Sequence, residues 1–313
     1  MTSPINNKFK TIMEIVNKGK SQGWKSILKI IIPYLVIVAV FELVGGLIVG
    51  LDFRHMRANS QTTAQLFVTC FMGMVGTVAV VWLFTTKVDK KSFTSIGFDK
   101  TNMVKDIALG LAMGFVIMLS GFSILVLTHQ LQFVDIKFNA LNLVYSVGIF
   151  VFVAVNEEVF TRGYILRNLA ISFNKYVALV VSALIFSLMH LGNPNINLVG
   201  LSIIFLSGLV LGLPYLYTRN LWFPIALHIS WNFFQGPIFG FNVSGMNFYK
   251  LIETKYATPN NWNGGEFGFE GSILAVFFLL GALTAIHFLF KNRKAVEEPE
   301  VEELEAYSPI AQG

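Results

Sequence analysis

The amino-acid sequence predicts an all-α, polytopic membrane protein with about eight transmembrane helices. Of its 313 residues, 54% are hydrophobic and only 13% are charged, whereas a soluble domain is about one quarter charged. Several continuous apolar runs reach roughly the 20 residues that a helix needs to cross about 30 Å of hydrocarbon. These runs do not alternate with period two, which favours helices over a barrel of strands.

The apolar runs divide the chain into a membrane bundle and two polar ends. Residues 1–26 are polar and basic without the pattern of a cleavable signal peptide, and they are predicted to be a cytoplasmic segment. Residues 27–290 form the predicted bundle, and the acidic residues 291–313 form a predicted disordered cytoplasmic tail. The eight predicted spans are 27–51, 65–86, 104–127, 142–171, 176–192, 196–217, 221–236 and 272–290.

The distribution of lysine and arginine predicts the orientation of this bundle. Of the 23 lysines and arginines, sixteen lie in the two ends and in the connections on their side, counted with the flanks of the connection after the fourth span. Five lie in the alternate loops, and Lys29 and Lys105 lie within span ends. Both termini are therefore predicted to be cytoplasmic. The formal charge of +5 follows from these loop residues, so no nucleic-acid partner is predicted. The single cysteine, Cys70, excludes an intramolecular disulfide.

A few polar side chains interrupt the apolar runs. A charge at mid-bilayer costs on the order of 3 kcal/mol or more, so each such residue needs a partner or a water-filled cavity. The stretch FVFVAVNEEVFTRGYIL, residues 150–166, contains three of them close together. The polar residues within the runs are Glu157, Glu158, Arg162, His190, His228, Asn232, Glu42 and His287.

The spacing of the first three predicts different tasks for the two glutamates. Glu158 and Arg162 are four residues apart, so on a helix they share a face and can form an ion pair. Glu157 lies about 100° round the helix from its neighbour and contacts other residues. One carboxylate, that of Glu157, is thus left free for chemistry.

Depth in the membrane predicts which residues Glu157 meets. The polar stretch SFNK, residues 172–175, is a predicted turn between two antiparallel spans, with Glu157 fifteen residues before it and His190 fifteen after it. These two side chains are therefore expected at similar depth. His228, counted from Arg219, is expected about 10 Å shallower at about 1.5 Å per residue, and Asn232 shares its face.

A carboxylate, two imidazoles and a carboxamide that converge in a membrane protein suit hydrolysis. Glu157 can take a proton from water as a general base. His190 and His228 can ligate a metal such as zinc, or they can act directly as proton donors to a carbonyl. Asn232 can donate a hydrogen bond to a developing oxyanion. Each residue taken singly is more often a satisfied polar contact between helices, so the residues alone leave open an enzyme, a transporter and a scaffold.

At these residues the sequence resembles the CPBP membrane peptidases, the family of the type II CAAX prenyl endopeptidases and of the Abi proteins, which include lysostaphin resistance protein A-like members. Three motifs carry the resemblance: EEVFTR at 157–162, FSLMH at 186–190 and HISWN at 228–232. They occur in order on successive apolar runs within residues 142–236. Each motif is weak alone, and the three in register are specific.

The resemblance implies an intramembrane endopeptidase that cuts near the C-terminus of a membrane-associated or lipidated protein or of a peptide. It also implies a location in the bacterial cell membrane, with the active site accessible from the cytoplasmic side. At the positions that match the family's motifs, the resemblance implies that Glu157 activates the water molecule and that His190 assists it. His228 with Asn232 forms the metal or oxyanion end of the site, and Glu158 with Arg162 orients it. Zinc bound by His190 and His228 is an expectation, and no organic cofactor is expected.

Two rivals and one residue stay open at this point. A bacteriocin self-immunity protein or a membrane scaffold could keep the fold and lack turnover, whereas a transporter would show paired inverted repeats, which the sequence lacks. The predicted partners are a peptide or membrane-protein substrate and the lipid bilayer. Glu42 is predicted as a hydrogen-bonding partner between helices, in preference to a residue of the substrate cavity.

Overall fold

The structure, a computed structural model, describes residues 23–52, 61–293 and 295. It is 72% helical and 5% strand, which agrees with the predicted helical class. Most of the predicted N-terminal segment and nearly all of the predicted acidic tail lie outside the described residues. The count of eight spans and the orientation of the termini stay predictions.

Nine α-helices, three π-helical segments and two strands make up the described part of the chain. The π-helical segments Phe84–Val88 and Phe234–Ile238 extend α2 and α8, and Val159–Leu166 joins α4 to α5. The α-helices are α1 (Gly23–Ile48), α2 (Thr63–Leu83), α3 (Met103–Leu127), α4 (Ala140–Glu158), α5 (Arg167–Ser172), α6 (Lys175–Met189), α7 (Leu198–Thr218), α8 (Trp222–Phe233) and α9 (Ile273–Phe290).

Six helical segments in the described part of the chain are long and apolar enough to cross a membrane: Gly23–Ile48, Thr63–Val88, Met103–Leu127, Ala140–Ser172, Leu198–Thr218 and Ile273–Phe290. The other two predicted spans are shorter helices. The run 176–192 becomes α6, with 15 residues, and the run 221–236 becomes α8, with 12 residues and a π-helical extension. At about 1.5 Å per residue, 12 residues reach roughly 18 Å, which is less than the hydrocarbon thickness.

Hydrogen bonds near the start of α1 show which helix ends lie together. The backbone N–H of Trp24 donates to Ser172 Oγ at the end of α5, at 3.0 Å. Ser26 Oγ donates to Asp89 Oδ1, directly after α2, at 2.7 Å. The beginning of α1 therefore lies beside the ends of α2 and α5.

The end of α9 lies at the same face of the bundle. Tyr217, near the end of α7, hydrogen-bonds His287 Nδ1 at 2.7 Å, and Arg293 forms an ion pair with Asp106 in the first turn of α3. We call this the terminal face, because the described chain begins and ends there.

The opposite face carries a small antiparallel sheet and is called the sheet face here. Strand β1 (Leu131–Ile136) pairs with β2 (Ile252–Tyr256), with a bulge in the register. The sheet face comprises residues 128–139, 190–197 and 239–272. The sequence reasoning did not predict these strands.

Close packing of α8 on α3 brings α8 into the middle of the bundle. Gly110 lies against the backbone of Phe223, and Gly114 lies against Ser230, where a Cβ atom would approach the Ser230 side chain to 2.6 Å. Ser230 Oγ also donates to the backbone carbonyl of Leu111 at 2.6 Å. Small residues on α3 thus allow the short helix that carries the third motif to lie at the centre.

Candidate active site

A cavity of about 270 Å³ lies inside the bundle and continues to loops of the sheet face. Most of its wall is apolar, with side chains from seven of the helices and from the loops. Its polar lining residues are Tyr34, Asn156, Glu157, His190, Asn193, Ser207, His228, Asn232, Ser244 and Glu270. The four residues predicted to carry the chemistry are therefore all on the wall of one cavity.

The Glu157 carboxylate is the point at which the three motifs meet. Its Oε2 atom lies 3.9 Å from His190 Nε2 and 3.8 Å from His228 Nε2. This oxygen is buried and has no hydrogen-bond partner. The distances are too long for direct hydrogen bonds, so the three groups surround a space rather than fill it.

The hydrogen bond made by Nδ1 of each histidine determines the tautomer of the ring. His190 Nδ1 is 2.8 Å from the carbonyl oxygen of Phe186, and His228 Nδ1 is 2.9 Å from Glu158 Oε1. A carbonyl and a carboxylate oxygen can only accept, so both Nδ1 atoms carry the hydrogen. When the rings are neutral, both Nε2 atoms therefore point lone pairs at the space beside Glu157.

His190 occupies the C-cap position of α6, one residue beyond the helix. The antiparallel arrangement of α4 and α6, joined through α5 and the turn after Ser172, places it opposite Glu157. The structure thus brings together the two residues that the fifteen-residue spacing put at equal depth.

The expected shallow position of His228 is wrong. The chain after Arg219 does not emerge at a membrane surface, because Asn220 and Leu221 are buried. The N–H of Leu221 donates to the carbonyl of Gly97 at 2.8 Å, which ties this turn beneath the loop before α3. Helix α8 therefore begins inside the molecule, and six residues bring His228 to the depth of Glu157.

The predicted ion pair between Glu158 and Arg162 is present and fully buried. Arg162 donates to Glu158 Oε1 at 2.9 Å, and the side chains of Arg162 and Glu158 are 1% and 0% exposed respectively. The guanidinium also donates to Thr161 Oγ1 at 2.8 Å and to the carbonyl of Gly208 at 3.2 Å. Its Cζ atom lies 4.2 Å from the centroid of the Phe186 ring. Arg162 thus joins the first motif to α7 and to the second motif.

A π-helical segment directly follows the two glutamates, and the sequence reasoning missed it. All eight residues of Val159–Leu166 are buried. The hydroxyl of Thr161 donates to the carbonyl of Glu157 at 2.5 Å, and the hydroxyl of Ser182 donates to the carbonyl of Thr161 at 3.0 Å. Segments of this kind occur frequently at functional sites, and here hydroxyl groups hold the backbone around Glu157.

Asn232 lies one turn after His228 on the cavity wall and is 4% exposed. Its carboxamide makes no hydrogen bond with another described residue, so it is available to a ligand. The neighbouring Asn156, which was not predicted, also lines the cavity and accepts a hydrogen bond from Thr77. Its position in VNEEV, directly before the two glutamates, is the sequence feature that could have predicted Asn156 as a cavity residue.

Glu270 is a second cavity residue that sequence reasoning missed. It lies in the short 3₁₀-helical turn Phe269–Gly271 before α9 and is 8% exposed. Its sequence context, GFEGS, resembles an ordinary loop. Only the folding of the sheet-face loops over the site brings this carboxylate to the cavity.

Glu42 does not show the predicted hydrogen bond. Its side chain is exposed on α1, and its carboxylate lies against Gly73 of α2. Within the described part of the chain it has no hydrogen-bond partner, and it does not line the cavity. The absence of a side chain at Gly73 leaves room for the carboxylate between the two helices.

The spacing of Glu157, His190 and His228 provides a test for zinc. Ligand atoms about 2.0 Å from a tetrahedral zinc are roughly 3.3 Å apart, whereas the two distances here are 3.8 and 3.9 Å. Among the residues that the structure describes, no group of three or more His, Cys, Asp or Glu is arranged to hold a metal ion. The residue types suit zinc, whereas the spacing is about 0.5 Å wider than a bound zinc requires, so no step of the proposed mechanism uses a metal.

The position of the cavity affects two predictions about the membrane. Asn193, Ser244 and Glu270 line it from the sheet face, on the opposite side of the bundle from the terminal face. If the termini are cytoplasmic, the cavity lies toward the extracytoplasmic side. The predicted cytoplasmic termini and the predicted cytoplasmic entrance to the site therefore agree only if the cavity does not open through the sheet-face loops.

Fold and site together define a multi-pass helical membrane protein with a partly buried glutamate–histidine cluster. Residues 139–234 match the model of a family described as Type II CAAX prenyl endopeptidase Rce1-like. This match confirms the resemblance to the CAAX (CPBP) family, and it covers all three motifs. No curated protein and no solved structure matches the chain.

The family match supports a peptidase, because the Rce1-like family is a protease family. Together with the six long apolar helices it also supports a multi-pass integral membrane protein.

Proposed function

We propose that the protein is an intramembrane endopeptidase that hydrolyses a peptide bond, near the C-terminus of a membrane-associated or lipidated protein or of a peptide. The observation that carries the proposal is the space bounded by Glu157 Oε2 and two imidazole Nε2 atoms, at 3.8 and 3.9 Å. If a water oxygen lies about 2.8 Å from the carboxylate oxygen and from either imidazole nitrogen, the angle at the water oxygen between these two atoms is about 90°. That space therefore suits one water molecule.

Glu157 is the proposed general base. The water donates one hydrogen to Glu157 Oε2 and can donate the other to a histidine Nε2, which leaves a lone pair on its oxygen for the substrate carbonyl carbon. As the oxygen–carbon bond forms, Glu157 takes the proton. The tetrahedral intermediate then collapses, the carbon–nitrogen bond breaks, and the proton passes to the leaving amine.

The two histidines and Asn232 are proposed to handle the charge on the carbonyl oxygen. A protonated Nε2 can donate a hydrogen bond to the oxyanion, and the Asn232 carboxamide can donate another. Because Nδ1 of His228 is held by Glu158, this ring keeps its orientation when it gains a proton. Glu158 and Arg162 are proposed to position the site and not to react.

Access to the site follows from the proposed orientation. The lysine and arginine asymmetry favours cytoplasmic termini, so we place the cavity toward the extracytoplasmic side and give up the cytoplasmic entrance. A reporter enzyme that is active only in the cytoplasm, fused after Gly313, tests this orientation. Activity of the reporter is expected, and its absence in a well-expressed fusion would reverse the assignment.

The proposed function is tested with purified protein in lipid nanodiscs. A library of apolar peptides is incubated with the protein, and mass spectrometry identifies any cleavage. Glu157→Gln should abolish cleavage while the protein keeps its size-exclusion profile. Glu42→Gln is the matched control, since it neutralises a membrane glutamate outside the cavity and should leave cleavage intact. Retained cleavage in Glu157→Gln would remove this residue from the mechanism.

A non-catalytic self-immunity or scaffold function is the alternative, and it is tested in cells. If it holds, a strain that carries Glu157→Gln should keep the biological phenotype of the wild type. Zinc binding by His190 and His228 stays a prediction, and elemental analysis of the wild type against the double variant His190→Ala/His228→Ala checks it. Equal zinc in both proteins would contradict it.

A further inference from the structure

Glu270 places a second carboxylate on the wall of the same cavity, where nothing in the proposed mechanism uses it. The residue is 8% exposed and lines the cavity that contains Glu157. No ion pair with another described residue neutralises it. A charge that is buried beside apolar walls is unfavourable unless a partner compensates it. A positively charged group in the cavity would therefore stabilise the Glu270 carboxylate.

The carboxylate of Glu270 is held rigidly by one tight turn. Its Oε2 atom accepts hydrogen bonds from the backbone N–H of Ser244 at 2.9 Å and from the Ser244 hydroxyl at 2.5 Å. Ser244 itself has a left-handed backbone with φ of 49°. The other oxygen, Oε1, has no partner among the described residues and is not a fully buried atom, so it is available to a ligand.

The same turn fixes Glu270 relative to the proposed catalytic groups. Gly245 lies against the carbonyl of Pro194, where any side chain would clash, and its N–H donates to the carbonyl of Phe267 at 2.9 Å. Pro194 follows His190 by four residues in the loop that lines the cavity. Glu270 is therefore positioned on the side of the cavity formed by the sheet-face loops next to His190.

Nearby cations do not supply the missing charge. Lys250 donates to Asn242 Oδ1 at 3.0 Å, and burial lowers its pKa, against the opposing effects of Glu266 and Glu253. Arg162 is engaged by Glu158. With Glu157 and Glu270 both on its wall, the cavity attracts cations.

We propose that Glu270 is a specificity residue that binds a lysine or arginine side chain of the substrate, through its free Oε1 atom. The inference rests on the proposed peptidase function, which places a peptide in this cavity. It defines the substrate class as an apolar peptide that carries a basic residue on the His190 side of the cleaved bond.

The competing explanation is that Glu270 has only a structural role, because its hydrogen bonds with Ser244 stabilise the turn. Glu270→Gln separates the two roles. The glutamine oxygen can still accept from both Ser244 donors, while the negative charge is lost. Glu266→Gln is the matched control, since Glu266 is an exposed carboxylate in the neighbouring turn and does not line the cavity.

The experiment measures peptide binding in the Glu157→Gln background, so that it does not depend on turnover. Fluorescent apolar peptides carry either lysine or its uncharged isostere norleucine at each position in turn, and fluorescence anisotropy gives their Kd with full-length protein in phosphatidylcholine nanodiscs. At one position lysine should bind roughly tenfold or more tightly than norleucine, the range for one charge-assisted hydrogen bond. Glu270→Gln should remove this preference, and Glu266→Gln should keep it.

The outcomes distinguish this inference from the proposed function. Absence of a lysine preference at every position, or a preference that survives Glu270→Gln, overturns the role of Glu270 even if the protein cleaves peptides. A Glu270-dependent lysine preference without cleavage by the wild type would support the binding role and contradict the peptidase proposal. A fall in affinity for lysine and norleucine peptides alike would indicate the structural role and overturn the inference.

Discussion

Replacement of Arg162 by methionine should destabilise the protein strongly, because it leaves Glu158 charged and buried. The wild-type guanidinium makes hydrogen bonds of 2.9, 2.8 and 3.2 Å to Glu158, Thr161 and Gly208. Methionine has a similar length and fills part of the space, so cavity formation contributes little. The dominant cost is the loss of the positive charge.

The magnitude follows from the burial of both partners. Glu158 is 0% exposed, so water cannot replace the guanidinium, and the remaining donor is His228 Nδ1. Removal of one member of a buried ion pair costs about 3–5 kcal/mol. The double variant Arg162→Met/Glu158→Gln removes both charges, and its glutamine can still accept from His228. It should recover about half of that loss or more, since a buried ion pair contributes little net free energy relative to a neutral substitute.

The free energy of unfolding can be measured by reversible titration with sodium dodecyl sulfate in mixed micelles, for the wild type, both single variants and the double variant. The four values give the coupling energy between the two side chains. The reasoning would be refuted if Arg162→Met lost less than about 1 kcal/mol, which is the range of an exposed pair. A double variant as unstable as Arg162→Met would refute the assignment of the cost to the unpaired Glu158.

Three further perturbations test other parts of the structure. Gly114→Val should push α8 away from α3 because a Cβ atom would lie 2.6 Å from Ser230. It should cost about 1–3 kcal/mol and lower kcat, and a stable, fully active variant would argue against this packing. Lys137→Ala removes an exposed ion pair with Glu253 at 2.5 Å and should leave the free energy of unfolding nearly unchanged, because solvent screens an exposed pair. Asn232→Ala should lower kcat by roughly 10²–10³ with little change in KM, and a change confined to KM would make Asn232 a binding residue.

Spacing in the sequence predicted those parts of the site that depend on one regular helix or one hairpin. Glu158 and Arg162 pair because four residues make about one helical turn. Glu157 and His190 meet because equal distances from a turn bring residues of antiparallel helices to the same depth. Both inferences need only helical geometry, which the apolar composition had already indicated.

The remaining features depend on tertiary contacts that spacing cannot reveal. The depth of His228 was wrong because Arg219 was taken as a membrane boundary, whereas Leu221 is buried beneath the loop at Gly97. The π-helical segment after Glu158 depends on hydroxyls such as that of Ser182, from a different helix. Glu270 reaches the cavity only because the sheet-face loops fold back over the bundle.

Phe186 has two separable tasks, and this explains the form of the second motif. Its backbone carbonyl oxygen accepts a hydrogen bond from His190 Nδ1 at 2.8 Å. Any residue at that position has such a carbonyl, so the four-residue interval alone determines which nitrogen of His190 carries the hydrogen. Its ring lies 4.2 Å from the Arg162 guanidinium, which requires an aromatic side chain. In Phe186→Leu the histidine should therefore keep its tautomer while the arginine loses its aromatic cover, so one substitution can separate the chemistry of the imidazole from the anchoring of the first motif.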